Sequence, residues 1–544
     1  MAEKATGRDA ACESADGPRD TSQDSPAAKA GKLKAIAHRI NHDDRKLQLS
    51  LLAFMVLYYG VLLLAAWGHS ARTVSLRLTF NSMLDHLMRG QFDVDPQVVG
   101  AEEGFLRNGR VYAYFGIWCA LLRLPLWIFR RMDIDLTLWS CLAAACLAGI
   151  AKVRTVLLLR RHGMQNPMAR WVVGLMLAYV LLGGTGIGLL NASIYAEVIL
   201  WACAFATVFV YLAVKGVVNR RFDLPMLCWM ALCAGLALNT RVSTGIGLIL
   251  AMVLLLFMLT FEYGAAATSK PSLPIRRFAL ALTTRRTLLP GGVLAALMTV
   301  SGTVNYFRWG NPATFANWDL YLGWAPWPNR SAWWLSPYLS LIHAYGTFNI
   351  VRIPFNLVYY FFPFWALQNT TDDVLLATRW GRTMCEFEMP PSSFFLTDML
   401  AFCFIALLAV ALWRRRPRGL PPAGRWAIAV AIGLLAPCIL MLTAIWAAYR
   451  YRLEFYPEID FLAFMGLYLT LTDETMLALF GRIRRWMAAA LTVSIAFSFL
   501  ALFLIDVGQS LPWHVGGRGL VDFYIQVTAD HYHKVIAPHF GFHR

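Results

Sequence analysis

The chain has 544 residues, 58% of them hydrophobic and only 15% charged, with a mean hydropathy of +0.52. That balance lies outside the range of soluble globular proteins and marks a polytopic membrane protein. The net charge of +17 would suit nucleic acid, but the Lys and Arg stand in short clusters between apolar runs. The positive-inside rule accounts for such clusters, so nucleic-acid binding is set aside.

Residues 1–46 are rich in Ala, Asp, Ser, Lys and Gly and lack an apolar run, which predicts a disordered cytoplasmic arm rather than a signal peptide. A span needs about 20 apolar residues, and loop Lys and Arg mark the cytoplasmic side. On that basis Leu47 to Trp67 crosses outward as a retained anchor, and residues 68–135 form a first external loop. Val111 to Phe129 contains Arg123 and Pro125 and ends in Arg130-Arg131. If it crossed the membrane, Lys152, Arg154, Arg160 and Arg161 would fall outside, so it is predicted to lie in the membrane surface as an amphipathic helix.

The second span is then Leu136 to Leu159, followed by Trp171 to Leu190, Ile194 to Val214, Leu224 to Leu238, Thr244 to Phe261 and Leu288 to Tyr306. A large external loop, 307–393, precedes Phe394 to Leu412, Trp426 to Ala447, Ile459 to Leu471 and Met487 to Ile505. The expected fold is thus an all-α bundle of about eleven transmembrane helices over 47–505, with amphipathic helices in the first external loop. An external tail, 506–544, completes the chain. Seven cysteines (Cys141, Cys146, Cys203, Cys228, Cys233, Cys403 and Cys438) fall in apolar segments as small hydrophobes, and a bridge between Cys119 and Cys385 is left open.

The polar residues collect on the predicted outer face. Arg72 to Arg89 carries Val74, Leu76, Leu78, Leu84 and Leu87 among polar residues, consistent with a surface helix that delivers Asp93 and Asp95 to the bilayer boundary. In Asp93-Val-Asp95 the alternation of an extended segment puts both carboxylates on one side. That geometry suits a divalent cation, Mg or Mn, or a paired acid and base, and equally a solvated turn before Pro96. Glu103 follows, and Asn108-Gly109 reads as a tight turn before Arg110, Tyr112 and Tyr114, which either line a cleft or anchor the interface.

Further polar residues mark the outer ends of spans: Glu197, Arg241, Asn305 and Arg308, with Arg450 and Arg452 in Tyr449-Arg-Tyr-Arg-Leu-Glu-Phe-Tyr-Pro457. Charges this near hydrocarbon mark a site or pair with each other, as Arg452 with Glu454 would. Arg241, Arg308, Arg450 and Arg452 on one leaflet match what a phosphate-bearing lipid requires. No phosphate-binding Gly-rich motif or zinc-ligand spacing is present, which argues against a nucleotide-driven pump or a dinucleotide enzyme.

This layout resembles the GT-C superfamily of polyprenyl-phosphate-sugar-dependent glycosyltransferases, the group that contains protein O-mannosyltransferases and lipid A aminoarabinose transferases. The resemblance rests on the inside amino terminus, the acidic first external loop, the second span ending in basic residues and the large later loop. It implies a GT-C-like fold and an inverting transfer in which a first-loop carboxylate, Asp93, Asp95 or Glu103, acts as base or metal ligand. It further implies that arginines such as Arg241 hold a donor phosphate. Many members carry an Asp within a turn or two of the first span, whereas this chain reads His69-Ser-Ala-Arg-Thr-Val-Ser75 there and reaches its acids only at Asp93.

The implied partners are a polyprenyl-phosphate-linked sugar donor, a glycan, lipid or protein acceptor, and membrane lipids. The implied setting is a bacterial inner membrane with a periplasmic site. A lipid or polysaccharide transporter or flippase is the competing reading, although the chain shows no internal repetition of halves.

Overall fold

In a computed structural model of the protein, residues 46–64, 75–163, 166–184, 186, 190, 192–266, 284–322, 336–362, 383, 384, 386, 387, 392–415 and 422–508 are described. The amino-terminal arm, the carboxy-terminal tail and Cys385 lie outside them. The chain falls into two compact units, Met1–Ser50 and Leu51–Arg544, and the second holds the helical bundle and its loops.

The protein is an all-α polytopic membrane protein. Helix α1 (Lys46–Leu64) precedes a first loop with α2 (Thr79–Met88), α3 (Pro96–Glu103), strands β1 (Gly104–Arg107) and β2 (Arg110–Ala113), and the short turns α4 (Trp118–Leu121) and α5 (Leu124–Ile128). Then come α6 (Thr137–His162), α7 (Pro167–Leu182), α8 (Ile194–Val218), α9 (Leu224–Leu238), α10 (Val242–Ala266) and α11 (Arg285–Trp309). The second large loop contributes α12 (Ser336–Tyr345), α13 (Ile353–Phe361), β3 (Glu386–Phe387) and α14 (Phe394–Thr397). The chain continues through α15 (Met399–Arg415), α16 (Pro422–Thr443), β4 (Trp446–Ala447), a 3-10 helix over Tyr449–Phe455, α17 (Tyr456–Thr472) and α18 (Glu474–Gly508).

Seven of these, α1, α6, α8, α10, α11, α16 and α18, are long and apolar enough to cross a membrane. With the shorter α7, α9, α15 and α17, each predicted span overlaps a helix, although Trp171 to Leu190 is helical in α7 only to Leu182 and Phe394 to Leu412 is divided at Asp398 between α14 and α15. Local sequence sets the boundaries. Asn166 caps α7 by accepting from Met168 N (2.6 Å) with Pro167 at the first turn, and Ser193 caps α8 by accepting from Ala196 N (3.1 Å). Gly310 ends α11 in the left-handed region at φ +78°.

Helix α8 is the innermost, with 78% of its most apolar stretch buried. It packs against α6, α9 and α17, while α10 lies along α16 and α15 along α17. At Gly433 a Cβ would sit 2.2 Å from the Ala251 backbone, so only glycine permits that α10–α16 approach.

One expectation is corrected. Val111 to Phe129 is not one amphipathic helix but strand β2 followed by the turns α4 and α5. The Asn108-Gly109 turn draws Val111 into a hairpin, and Gly116 presses the backbone against Asn239, where a Cβ would meet its carbonyl oxygen at 2.2 Å. Lys152 lies within α6, inside the predicted second span, and is held there by a pair with Asp460 of α17 at 2.8 Å.

Candidate functional site

The first loop is a folded cap on the helix ends. Asn108 (φ 52°) and Gly109 (φ 76°) form a turn with two positive φ angles, the type that matches strand twist, as the sequence predicts. The hairpin it closes is fastened to α11: Arg107 donates to the Arg308 carbonyl (2.9 Å), and Phe105 and Tyr112 pack around Trp309. Segment 91–95 lies beside β2 through Val94 N to Val111 O (2.9 Å), and Phe92 stacks on Phe307 at 4.6 Å. These contacts hold Asp93 and Asp95 in place.

Between those two acids sits His86 of α2, which the sequence reading did not single out. Its Nδ1 lies 3.2 Å from Asp93 Oδ1 and its Nε2 lies 3.3 Å from Asp95 Oδ1. Ser82 Oγ donates to Asp95 Oδ2 (2.8 Å) and accepts from Asp95 N (2.9 Å), while Arg110 approaches Asp93 at 3.8 Å. Asp93 is 15% exposed and Asp95 57%. The spacing of His86 four residues after Ser82, on one helix face, is the sequence signal that would have found this array.

Glu103 is turned elsewhere, accepting a hydrogen bond from the Tyr195 hydroxyl at the start of α8. Arg450 lies over the Tyr195 ring at 5.0 Å and over Tyr451 at 5.4 Å, and Arg241 lies over Tyr451 at 4.9 Å. Tyr114 is within reach of the same groups. Burial pushes its hydroxyl well above the ordinary range, with Glu103 and Tyr451 adding to the shift and Arg450 and Arg241 opposing it. Glu103, Tyr114, Arg241 and Arg450 therefore form one cluster.

The 3-10 helix Tyr449–Phe455 distributes charge in two directions. Glu454 pairs with Arg241 and accepts from Ser243 (2.7 Å) and Thr244 (2.5 Å). Arg452 pairs with Asp398 (3.5 Å) and donates to Thr397 (2.8 Å). The expected Arg452–Glu454 pair is thus replaced, because residues two apart on a 3-10 helix point to different sides and each finds a partner elsewhere in the bundle. Asp398 also accepts from Tyr179 (2.7 Å) and Tyr456. Arg452 is fully buried, and its Nε and Nη1 have no hydrogen-bond partner.

Other predicted site residues make contacts that join elements of the fold. Glu197 is fully buried in an ion pair with Arg123 and accepts from Ser140 (2.6 Å), whose oxygen in turn accepts from Trp201 (2.9 Å). Arg308, also buried, donates to the Phe115 carbonyl (2.7 Å) in the last turn of α11, where the helix dipole favours a cation. Asn305 donates to the Pro312 carbonyl (3.2 Å). Below the 3-10 helix, a cavity of about 60 Å³ is lined by Tyr59, Lys152, Tyr179, Tyr456 and the glycines at 149, 183 and 186.

The Asp93 and Asp95 pair does not fit a shared metal ion. Both face the two nitrogens of one imidazole, which cannot reach a single ion together. Among the described residues, no group of three or more His, Cys, Asp or Glu side chains is arranged to hold one.

No family model matches the chain, and no curated protein does. Among solved structures it is similar to the archaeal oligosaccharyltransferase AglB from Archaeoglobus fulgidus, in complex with an inhibitory peptide and a dolichol-phosphate. The identity is 13% and the TM-score 0.40, over 87% of this chain and 56% of that one, so this chain spans little more than half the length of the archaeal enzyme.

Proposed function

We propose that the protein is a membrane glycosyltransferase that moves a sugar from a polyprenyl-phosphate-linked donor to a hydroxyl of a glycan, lipid or protein acceptor. It works, in this reading, on the periplasmic face of a bacterial inner membrane, where nucleotide sugars are absent and a lipid-linked donor is required. The observation that carries the reading is the Asp93–His86–Asp95 array, open to water at Asp95 and fixed on a folded loop against the helix ends. A group there takes the proton of the acceptor hydroxyl. The acceptor oxygen forms its bond to the anomeric carbon, and the bond from that carbon to the phosphate oxygen breaks, inverting the centre.

Arg110 and Arg450 are the cations near the loop that would receive the phosphate, and Arg452, with two unpartnered nitrogens, is a third once a lipid headgroup reaches it. Arg241 enters this reading as the partner that positions Glu454. No step is assigned to a divalent ion. The transporter reading draws on the Lys152–Asp460 pair beside the cavity.

The test is reconstitution of the purified protein with polyprenyl-phosphate sugars, together with mass spectrometry of envelope glycans from a strain lacking the gene. Asp93→Asn and Asp95→Asn are each expected to insert normally and to lower transfer. Full complementation by both overturns the carboxylate array as the site, and lipid flux without sugar transfer favours the transporter.

A further inference from the structure

The array holds three groups where the resemblance calls for one carboxylate, and their hydrogen bonding separates their roles. An ionised carboxylate only accepts, so an imidazole flanked by two carboxylate oxygens at 3.2 and 3.3 Å bonds both only when both ring nitrogens carry protons. With one ring proton, the nitrogen lacking it faces an acceptor. The two sides differ. The Nδ1 contact to Asp93 is partly buried, whereas the Nε2 contact to Asp95 lies at the exposed edge. Asp93 is anchored by its position next to Val94, whose N–H bonds the Val111 carbonyl at 2.9 Å, and by Arg110 at 3.8 Å. Asp95 is anchored by Ser82 through both its side chain and its backbone.

We propose that His86 is the catalytic base of the transfer, oriented by Asp93 through Nδ1–H and taking the acceptor's proton on Nε2 beside Asp95. This deepens the glycosyltransferase reading and rests on it. In the step, the acceptor O–H proton moves to Nε2 while the acceptor oxygen bonds the anomeric carbon. The polyprenyl phosphate departs with the electron pair of the broken carbon–oxygen bond. The imidazolium so formed lies between two carboxylates, which stabilises the charge as it develops. The other charged group on the same helix, Asp85, pairs with Arg89 just past its end, which leaves the ring to the two acids.

The experiment measures transfer from a polyprenyl-phosphate sugar by the reconstituted full-length protein and its variants, with and without added imidazole. His86→Ala is expected to lower kcat by about 100-fold or more with the donor KM little changed. Free imidazole restores part of that rate in His86→Ala and none in Asp93→Asn. His86→Gln, which keeps a side-chain hydrogen bond without a base, stays as slow as His86→Ala. Wild-type rates in His86→Gln, or in His86→Ala while Asp95→Asn is inactive, return the base to a carboxylate and overturn this proposal while leaving the glycosyltransferase reading intact. A wild-type protein that transfers no sugar overturns the functional reading itself.

Discussion

The first loop and the helix bundle beneath it handle charge in opposite ways. In the bundle, Arg123 meets Glu197, Lys152 meets Asp460 and Arg452 meets Asp398, one cation to one anion, with hydroxyls from Ser140, Thr397, Tyr179 and Tyr456 adding hydrogen bonds to the first and third of these pairs. In the loop, one imidazole serves two carboxylates and Asp95 remains open to water. Charges deep in the bundle are neutralised because desolvation there is costly unless each is paired. The loop keeps proton-binding capacity available, which is why the proposed transfer is assigned to it.

The sharpest way to break this contrast is to remove one partner of a buried pair. Glu197→Ala leaves the Arg123 guanidinium fully buried beside neutral groups, and the expected loss is about 3–5 kcal/mol. Thermal unfolding in detergent reads this as a large drop in midpoint and a lower yield of folded protein. Replacing both residues by Met is expected to recover most of the loss, because the pair's worth against an apolar substitute is small. A single variant as stable as wild type would mean that the pair is not buried as described.

A second test loosens the joint between the two regions. Gly116 lies where a Cβ would meet the Asn239 carbonyl oxygen at 2.2 Å and the Thr240 carbonyl oxygen at 2.7 Å. Those are backbone atoms, and the same Asn239 oxygen accepts from Trp118 N at 3.0 Å. Gly116→Val therefore pushes the loop off the end of α9. The expected destabilisation is about 1–3 kcal/mol, read as a lower unfolding midpoint with greater protease sensitivity of the loop. Unchanged sensitivity would show that the loop does not depend on this close approach.

The same contrast explains what was legible in the sequence. Apolar runs and basic clusters record lipid contact one residue at a time, so every predicted span met a helix. The turn at Asn108-Gly109 was legible for a similar reason, since few residue pairs tolerate two positive φ angles. Partners were not. Arg452 and Glu454 are near neighbours in sequence, yet each pairs with a residue far along the chain at a junction between helices, Asp398 and Arg241, which no local pattern encodes. His86 escaped notice because its meaning depends on a turn that folds Asp93 and Asp95 back over α2. Lys152 falls inside the predicted second span, but its partner Asp460 lies far along the chain in α17, so the pairing is invisible to a local pattern.

The mildest perturbation tests how firmly the loop must be held. Gly109 adopts φ +76° at the tip of the hairpin with open space around it, so Gly109→Ala meets no steric neighbour and carries only the strain of the left-handed backbone. That costs roughly 1 kcal/mol. The hairpin it closes supplies the Val111 carbonyl that fixes Val94, and Val94 separates the two acids. If the array needs its geometry held by β2, Gly109→Ala lowers kcat several-fold while the unfolding midpoint of the whole protein shifts little, because the bundle's paired charges are untouched. If kcat and midpoint fall in proportion, the loop and bundle unfold as one body and the difference between them is one of charge alone.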